Sequence, residues 1–170
     1  MTYVAATVTK EYFIGEILIP NLAGSLSINT ALQAEISWFI AKYQPEYLKL
    51  LLGEDFYAEY FAAIAVQSHN AKWDTLANQI YDSTNKISPV AAYVYYFFML
   101  NSSTLTVTTG EAQSTYDNAT LKANHTKVCR SWNWMVDRSE EIKDWLDERK
   151  STYTTWARPE SMEKINTFGI

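Results

Sequence analysis

The chain has 170 residues, of which 48% are hydrophobic and 19% are charged, and its formal net charge is −5 at neutral pH. This length and composition predict one globular domain over residues 1–170 and exclude a disordered chain. Residues 1–85 hold four lysines against nine acidic groups, whereas residues 86–170 are balanced. The sequence has no basic stripe, so we do not expect tight binding to nucleic acid.

The first 24 residues have no helical period and contain Gly15, Pro20 and Gly24, which predicts an extended N-terminal arm or a short strand. From Ser27 to Tyr43 the apolar residues recur at helical spacing, and Thr30 with Gln33 matches a capping box. We expect Pro45 to end this helix because the residue before a proline avoids the helical region. No basic start precedes an apolar stretch, so we expect a cytosolic protein without a secretory signal.

Three short helices are predicted next, over "PEYLKLLLG", "EDFYAEYFAAIAV" and "WDTLANQIYDS". Gly53 follows the first of them, as glycine often does at the end of a helix. In the third, the spacing turns four side chains inward: Trp73, Leu76, Ile80 and Tyr81. Ser88 is expected to cap the following helix with Pro89 as its first residue, and the run to Leu100 is apolar on every side. Such a helix belongs at the centre of a bundle.

The segment "NSSTLTVTTGEAQSTYDNA", residues 101–119, interrupts the helical pattern. Leu105 and Val107 alternate with threonines, which favours extended structure, and Gly110 supplies a turn. We therefore expect a protruding extended loop or β-hairpin over residues 103–117. Legs of about six residues would reach ~20 Å, long enough to leave the domain. A surface loop without a partner is the alternative.

A long helix is predicted from about Asn118 to Arg149, followed by a tail over residues 151–170. The packing seam of this helix alternates four- and three-residue steps: Leu121, His125, Val128, Trp132, Met135, Ser139, Ile142 and Leu146.

The tail is too polar to fold alone, yet it contains Trp156, Phe168 and Ile170. Apolar groups in such a segment need a partner groove, so we expect the tail to dock onto a neighbouring chain.

The sequence offers little for catalysis or metal binding. A zinc site takes three or four protein ligands, and neither His69 nor His125 has a second ligand at helical spacing. Cys129 lies one helical turn after His125 without an orienting third group, so a buried structural thiol is expected. Adjacent carboxylates in a helix point in different directions, so they do not act together as a catalytic acid–base pair. This excludes such a pair at Glu54–Asp55 and at Glu140–Glu141. We expect a non-enzyme without metal or cofactor.

Five stretches together resemble the small neck proteins of tailed bacteriophages: "PEYLKLLLGEDFYAEY", "KISPVAAYVYYFFMLN", "TTGEAQSTYDNA", "RSWNWMVD" and "INTFGI". In particular, they resemble head–tail connector (adaptor) proteins in phages of gut Bacteroides-type bacteria. The similarity extends from Pro45 to the C-terminal residues. It implies a mainly α fold: a helical bundle with a central apolar helix, one long C-terminal helix, and a long loop or hairpin.

The resemblance also implies a structural virion protein that forms a homo-oligomeric ring, commonly of about twelve copies. Its partners would be the portal protein and other neck or tail proteins, and genomic DNA would pass through the lumen without sequence-specific binding. No membrane is involved. The implied location is the virion neck at the head–tail junction, with the host cytoplasm as the place of assembly.

Two regions are the candidate subunit interface. The loop contributes Thr104, Leu105, Thr106, Val107, Thr108, Thr109, Gly110, Glu111 and Tyr116, and the tail contributes Trp156, Phe168 and Ile170. Two other functions are compatible with the sequence. One is a monomeric helical binding or regulatory module encoded by a phage, and the other is an enzyme whose site is assembled from scattered residues.

Overall fold

The computed structural model of the protein describes residues 7–24, 27–66, 70–102, 104–107, 110–113 and 118–166; for 27–28, 104–107, 110–113 and 118–125 it describes the backbone alone. This part of the chain contains five α-helices: α1 (Ser27–Leu52), α2 (Glu54–Ile64), α3 (Ala71–Ile80), α4 (Pro89–Ser102) and α5 (Asn118–Asp147). Two short strands lie between α4 and α5: β1 (Thr104–Val107) and β2 (Gly110–Gln113). The predicted mainly α class is confirmed.

The helix α4 lies at the centre of the fold, as its uniformly apolar sequence predicts. All residues from Pro89 to Tyr95 are buried, and so is Phe98. The predicted cap is also present, because the Ser88 hydroxyl accepts a hydrogen bond from the Val90 N–H at 3.2 Å. Of the helices described, none combines the length and apolar character that crossing a membrane requires.

Aromatic side chains of α1 cover one side of α4. The Tyr43 and Phe97 rings stack with their centroids 4.3 Å apart, and Phe39 meets Phe98 edge-on at 5.5 Å. On the side of α5, the Trp132 ring lies 4.5 Å from that of Tyr96. Offset and edge-on contacts of this kind add to the stabilisation from apolar burial.

Pro45 lies inside α1, so the prediction that it ends the helix was wrong. Proline removes one backbone hydrogen bond from a helix and costs about 3 kcal/mol. Beyond it, however, four large side chains are buried: Tyr47, Leu48, Leu51 and Leu52. Each contributes about 1.5–3 kcal/mol on burial, which outweighs the cost of the proline. The predicted separate helix over "PEYLKLLLG" is therefore the last part of α1.

The described N-terminal residues, 7–24, pack on the core, and the prediction of an extended arm is corrected there. They form two 3₁₀ turns, Lys10–Tyr12 and Gly15–Ile17. Their buried side chains are irregularly spaced, which is why the sequence shows no period: Val8, Tyr12, Phe13, Ile19 and Leu22.

Two glutamine amides of α1 attach this N-terminal segment. The Gln44 Oε1 atom accepts from the Val8 N–H at 2.9 Å. The Gln33 Nε2 atom donates to the carbonyl oxygens of Leu22 at 2.8 Å and Gly24 at 3.0 Å. Gln33 therefore bonds to the preceding loop instead of completing the capping box predicted with Thr30.

The starts of α2 and α3 follow local sequence signals. Gly53 separates α1 from α2, with φ 78° and ψ 154°. Asn70 caps α3, since its side chain accepts from the Lys72 N–H at 3.0 Å. The side chains predicted to point inward from this region are all buried: Trp73, Leu76, Ile80 and Tyr81.

The seam of α5 is confirmed wherever its side chains are described. Val128, Met135, Ser139, Ile142 and Leu146 are buried, Trp132 is partly buried, and the side chains of Leu121 and His125 lie outside the described part. The Ser139 hydroxyl donates to the Met135 carbonyl at 2.7 Å and lies 2.7 Å from the Tyr47 hydroxyl. This buried contact joins α5 to the part of α1 beyond Pro45.

We expect Gly53→Ala to lower the free energy of unfolding by about 1–2 kcal/mol, because only glycine adopts its backbone conformation without strain. Crowding makes a minor contribution, since an added Cβ would lie 3.6 Å from the Pro159 Cγ. Urea unfolding measures the change, and an unchanged m-value would show that both proteins unfold in the same way. An unchanged midpoint would contradict this account.

Candidate functional site

Most of the described residues that were considered for chemistry are buried or paired with a charged neighbour. Cys129 is buried as predicted, and burial raises the pKa of its thiol. Glu54 pairs with Lys49 at 3.0 Å, and Glu140 pairs with Lys143 at 3.1 Å. Across the described residues, no three His, Cys, Asp or Glu side chains are grouped to hold a metal ion. His69 and the His125 side chain lie outside the described part.

The predicted loop contains an antiparallel ribbon in which β1 pairs with β2 from Thr104↔Gln113 to Val107↔Gly110. Each strand has four residues, or ~13 Å, and is shorter than the predicted legs. Within the described backbone, the sheet has these two strands alone. Three of the predicted interface residues lie outside the described part of the chain: Thr108, Thr109 and Tyr116. Five others are described by their backbone alone: Thr104, Leu105, Thr106, Val107 and Glu111. Gly110 begins β2.

Trp156 lies in the core of its own chain, which corrects the prediction that it contacts a neighbour. Only 5% of its surface is exposed. Its ring centroid is 5.4 Å from that of Phe56, and its Nε1–H donates to the Asp147 Oδ1 atom at 2.9 Å. Because the indole is covered and hydrogen-bonded inside the fold, it is not available to a second subunit.

Residues 157–166 form a segment, the C-terminal strap, that lies along α5 without helix or strand structure. The Trp132 Nε1–H donates to the Glu163 carbonyl at 2.9 Å. Asn133 bonds to both backbone groups of Ile165, donating to its carbonyl at 2.9 Å and accepting from its N–H at 2.8 Å. This part of the tail therefore lies on its own chain. Its docking onto a neighbouring chain stays a prediction, and Phe168 and Ile170 lie outside the described residues.

The strap also covers a buried lysine. The Lys143 side chain has no exposed surface, and its Nζ donates to Glu140 at 3.1 Å and to the Glu160 carbonyl at 2.9 Å. An ammonium group is buried only when partners replace its water, because its desolvation cost is large. The strap carbonyl is one of these partners, so the burial of Lys143 depends on the strap.

Arg158 joins the start of the strap to three carboxylates of α5. Its guanidinium nitrogens lie 2.7 Å from Glu140, 2.7 Å from Asp144 and 2.6 Å from Asp147. Hydrogen bonds from Arg158 and Trp156 lower the pKa of Asp147 to about 2. Burial acts to raise the pKa of Glu140, but its hydrogen bonds to Arg158 and Lys143 lower it overall. These shifts show that the cluster favours the ionised carboxylates.

An open depression, the apolar groove, lies between the N-terminal 3₁₀ turns, the loop before α4, and α5. Its volume is about 450 Å³, and its lining includes Tyr12, Ile14, Ile17, Ile87 and Trp134. Ile14 and Ile87 are each 47% exposed and Trp134 is 40% exposed. Lys86 lines the groove as well and has a left-handed φ of 57°.

Sequence reasoning missed the groove and the strap for different reasons. The groove side chains come from three distant parts of the chain, so no local spacing connects them. Trp134 was the one available signal, because it lies off the α5 seam on a helix whose other tryptophans face inward. Part of the bonding between the strap and α5 uses backbone carbonyls of the strap, which leave no pattern in the sequence.

Comparisons of the chain with family models, curated proteins and solved structures found no match.

We expect Glu140→Gln to destabilise the protein by about 2–3 kcal/mol, because it leaves the buried Lys143 ammonium without a charged partner. Glu141→Gln is the matched control. Its carboxylate is 63% exposed and pairs with Arg138 at the surface, so its loss should cost less than about 1 kcal/mol. Urea unfolding of both variants measures the difference, and equal effects would refute the role assigned to Glu140.

Asp147 should make stability depend on pH in acid. Its folded pKa of about 2 lies below the ordinary value of 3.8, so the unfolded chain takes up the proton first as pH falls. The stabilisation is complete above about pH 4 and is lost as pH falls toward 2. We expect Asp147→Asn to flatten the fall in melting temperature over this range. Asp55→Asn, an exposed change on α2, should retain the wild-type slope, and identical slopes for all three proteins would contradict the assignment.

Proposed function

We propose that this chain is a structural virion protein: a helical subunit of an oligomeric neck ring that connects the portal of a tailed bacteriophage to its tail. In this role it lines or seals the DNA channel and needs no cofactor. The observation that carries the proposal is the ribbon β1–β2, which is inserted between α4 and α5. The sequence resemblance to head–tail connector proteins supplies the biological context.

The ribbon is a poor structure for an isolated monomer. A two-stranded sheet is only marginally stable in water, and each strand here has four residues. Among the described residues, neither outer edge is paired with another strand, so each offers backbone donors and acceptors to another chain. Addition of a strand from a neighbouring copy would stabilise the ribbon and pair the backbone groups of its edge.

This form of pairing favours a ring over a closed dimer. The outer edges of β1 and β2 are different surfaces of one subunit. When the β1 edge of one copy meets the β2 edge of the next, the contact is head-to-tail. Head-to-tail contacts generate a ring when the rotation between subunits closes, and the number of subunits follows from that rotation.

The charge distribution is suited to a DNA conduit. The acidic first half of the chain holds four lysines, and two of them are paired: Lys49 with Glu54 at 3.0 Å and Lys72 with Glu59 at 3.6 Å. Lys86, just beyond this half, pairs with Glu11 at 3.2 Å. Phosphates would have to displace these glutamates to be held. A surface of this kind lets DNA pass without binding it tightly.

A monomeric phage-encoded binding module is the second candidate function. The apolar groove favours it, because half-exposed apolar side chains around a depression are typical of a site for another protein. A binding module needs no partner for its ribbon, so ring formation distinguishes the two functions.

The ribbon is tested by replacing residues 104–116 with a short Gly-Ser linker. Helix content and melting temperature of the isolated subunit should change little, because the core residues of the helices are untouched. Electron microscopy of virions or of portal complexes should show that rings no longer form on the portal. Trp38→Ala, an exposed change on α1, should form rings like the wild type. Normal rings from the linker variant would refute the role of the ribbon, and their absence from the wild type would refute the ring itself.

A further inference from the structure

The apolar groove is surrounded by large apolar side chains that are exposed to solvent. Ile14, Ile87 and Trp134 come from three separate segments, and each leaves two fifths or more of its surface in solvent around the same depression. Single exposed apolar residues are ordinary, but a cluster around a concave surface marks a site for another molecule.

The two buried serines that line the groove use their hydroxyls within the fold. The Ser88 hydroxyl accepts from the Val90 N–H, and the Ser131 hydroxyl donates to the Val128 carbonyl at 2.8 Å. Both serines are buried. With these hydroxyls bonded internally, the buried part of the lining favours apolar side chains over a polar small molecule.

The wall formed by residues 82–87 is held in one conformation. The Asp82 carboxylate accepts from the Thr84 N–H at 3.0 Å and from the Asn85 N–H at 2.9 Å. Backbone hydrogen bonds between Asp82 and Ile87 close the turn in both directions, at 2.9 and 3.1 Å. Ile87 is therefore presented on a rigid support, which lowers the entropic cost of binding a partner.

The sequence places an apolar pair of residues beyond the described part of the tail. Phe168 and Ile170 follow the polar strap directly. In an extended chain, residues two apart point to the same side, so these two side chains would enter one depression together. This pair matches the apolar lining of the groove in chemistry.

The last described residue of the strap lies on a different face of α5 from the groove of its own chain. At its last described residue, the Asn166 carbonyl lies 4.0 Å from the Cys129 Sγ atom. The groove uses Ser131 instead, and two residues advance a helix by about 200°, so Cys129 and Ser131 face nearly opposite sides of α5. To reach the groove of its own chain, the segment would have to pass around α5. The groove of a neighbouring copy does not impose this path.

We propose that the apolar groove binds residues 167–170 of a second copy of the chain, with Phe168 and Ile170 inserted between Ile14, Ile87 and Trp134. This inference rests on the proposed ring, for which it names a second head-to-tail contact besides the ribbon. The strap positions the segment on one subunit, and the groove receives it on the next.

A labelled hexapeptide of residues 165–170 tests the groove in solution. The receptor is the full chain carrying Phe168→Ala and Ile170→Ala, so that its own segment does not compete. We expect saturable binding by fluorescence polarisation, weakened at least about tenfold by Trp134→Ala in the receptor. Trp38→Ala removes another exposed tryptophan, on α1 and outside the groove lining, and should change affinity less than about twofold. No saturable binding, or equal effects of the two tryptophan variants, would overturn the proposal.

Photo-crosslinking decides whether the occupant comes from a second copy. Phe168 is replaced in the full chain by a benzophenone-bearing phenylalanine analogue, and two differently tagged copies are mixed and irradiated. We expect a product of doubled mass that carries both tags, with crosslinks near Ile87 and Trp134. Crosslinks confined to a single chain would overturn the proposal. If crosslinking fails while rings still form on the portal, the groove assignment falls and the proposed function stands.

Discussion

A helix with no polar face has to be covered on every side, and α4 places that requirement on the rest of the molecule. Its residues from Pro89 to Tyr95 are all buried, so neighbours have to come from distant parts of the sequence. The requirement explains why α1 continues through Pro45, since the buried residues beyond the proline belong to the same core. It also explains why the N-terminal residues pack as two 3₁₀ turns instead of extending into solvent. At these places, packing against the central helix outweighs the secondary-structure preference of the local sequence.

Much of the fold could be predicted from local signals, because those signals act within a few residues. Ser88 and Pro89 mark the start of α4, and the alternating spacing on α5 identifies its packing seam wherever the side chains are described. The failures at Pro45, the N-terminal arm and Trp156 share one cause: each outcome depends on partners far away in sequence. The same holds for the candidate site. The ribbon has a local signature of alternating residues and a glycine, whereas the groove is assembled from three segments and could not be foreseen.

The elements assigned to assembly lie toward one end of the α4–α5 pair. The ribbon connects the end of α4 to the start of α5. The strap begins beside Asp147 near the far end of α5 and returns along that helix to Cys129. It therefore brings the chain back toward the end that carries the ribbon. A bundle of this design separates a stable core from the surfaces proposed to meet other subunits, so that the core folds before assembly and the contacts form afterwards.

The strap has a further consequence, which concerns tolerance to sequence change. Trp132, Asn133 and Lys143 bind it through the backbone atoms of Glu163, Ile165 and Glu160. Those three strap positions offer the same carbonyl groups whatever side chain they carry, provided that the backbone stays extended. The strap is therefore free to diverge at these positions, while the matching positions on α5 are constrained. Proteins built this way would keep the sequence of the helix and vary that of the segment lying on it.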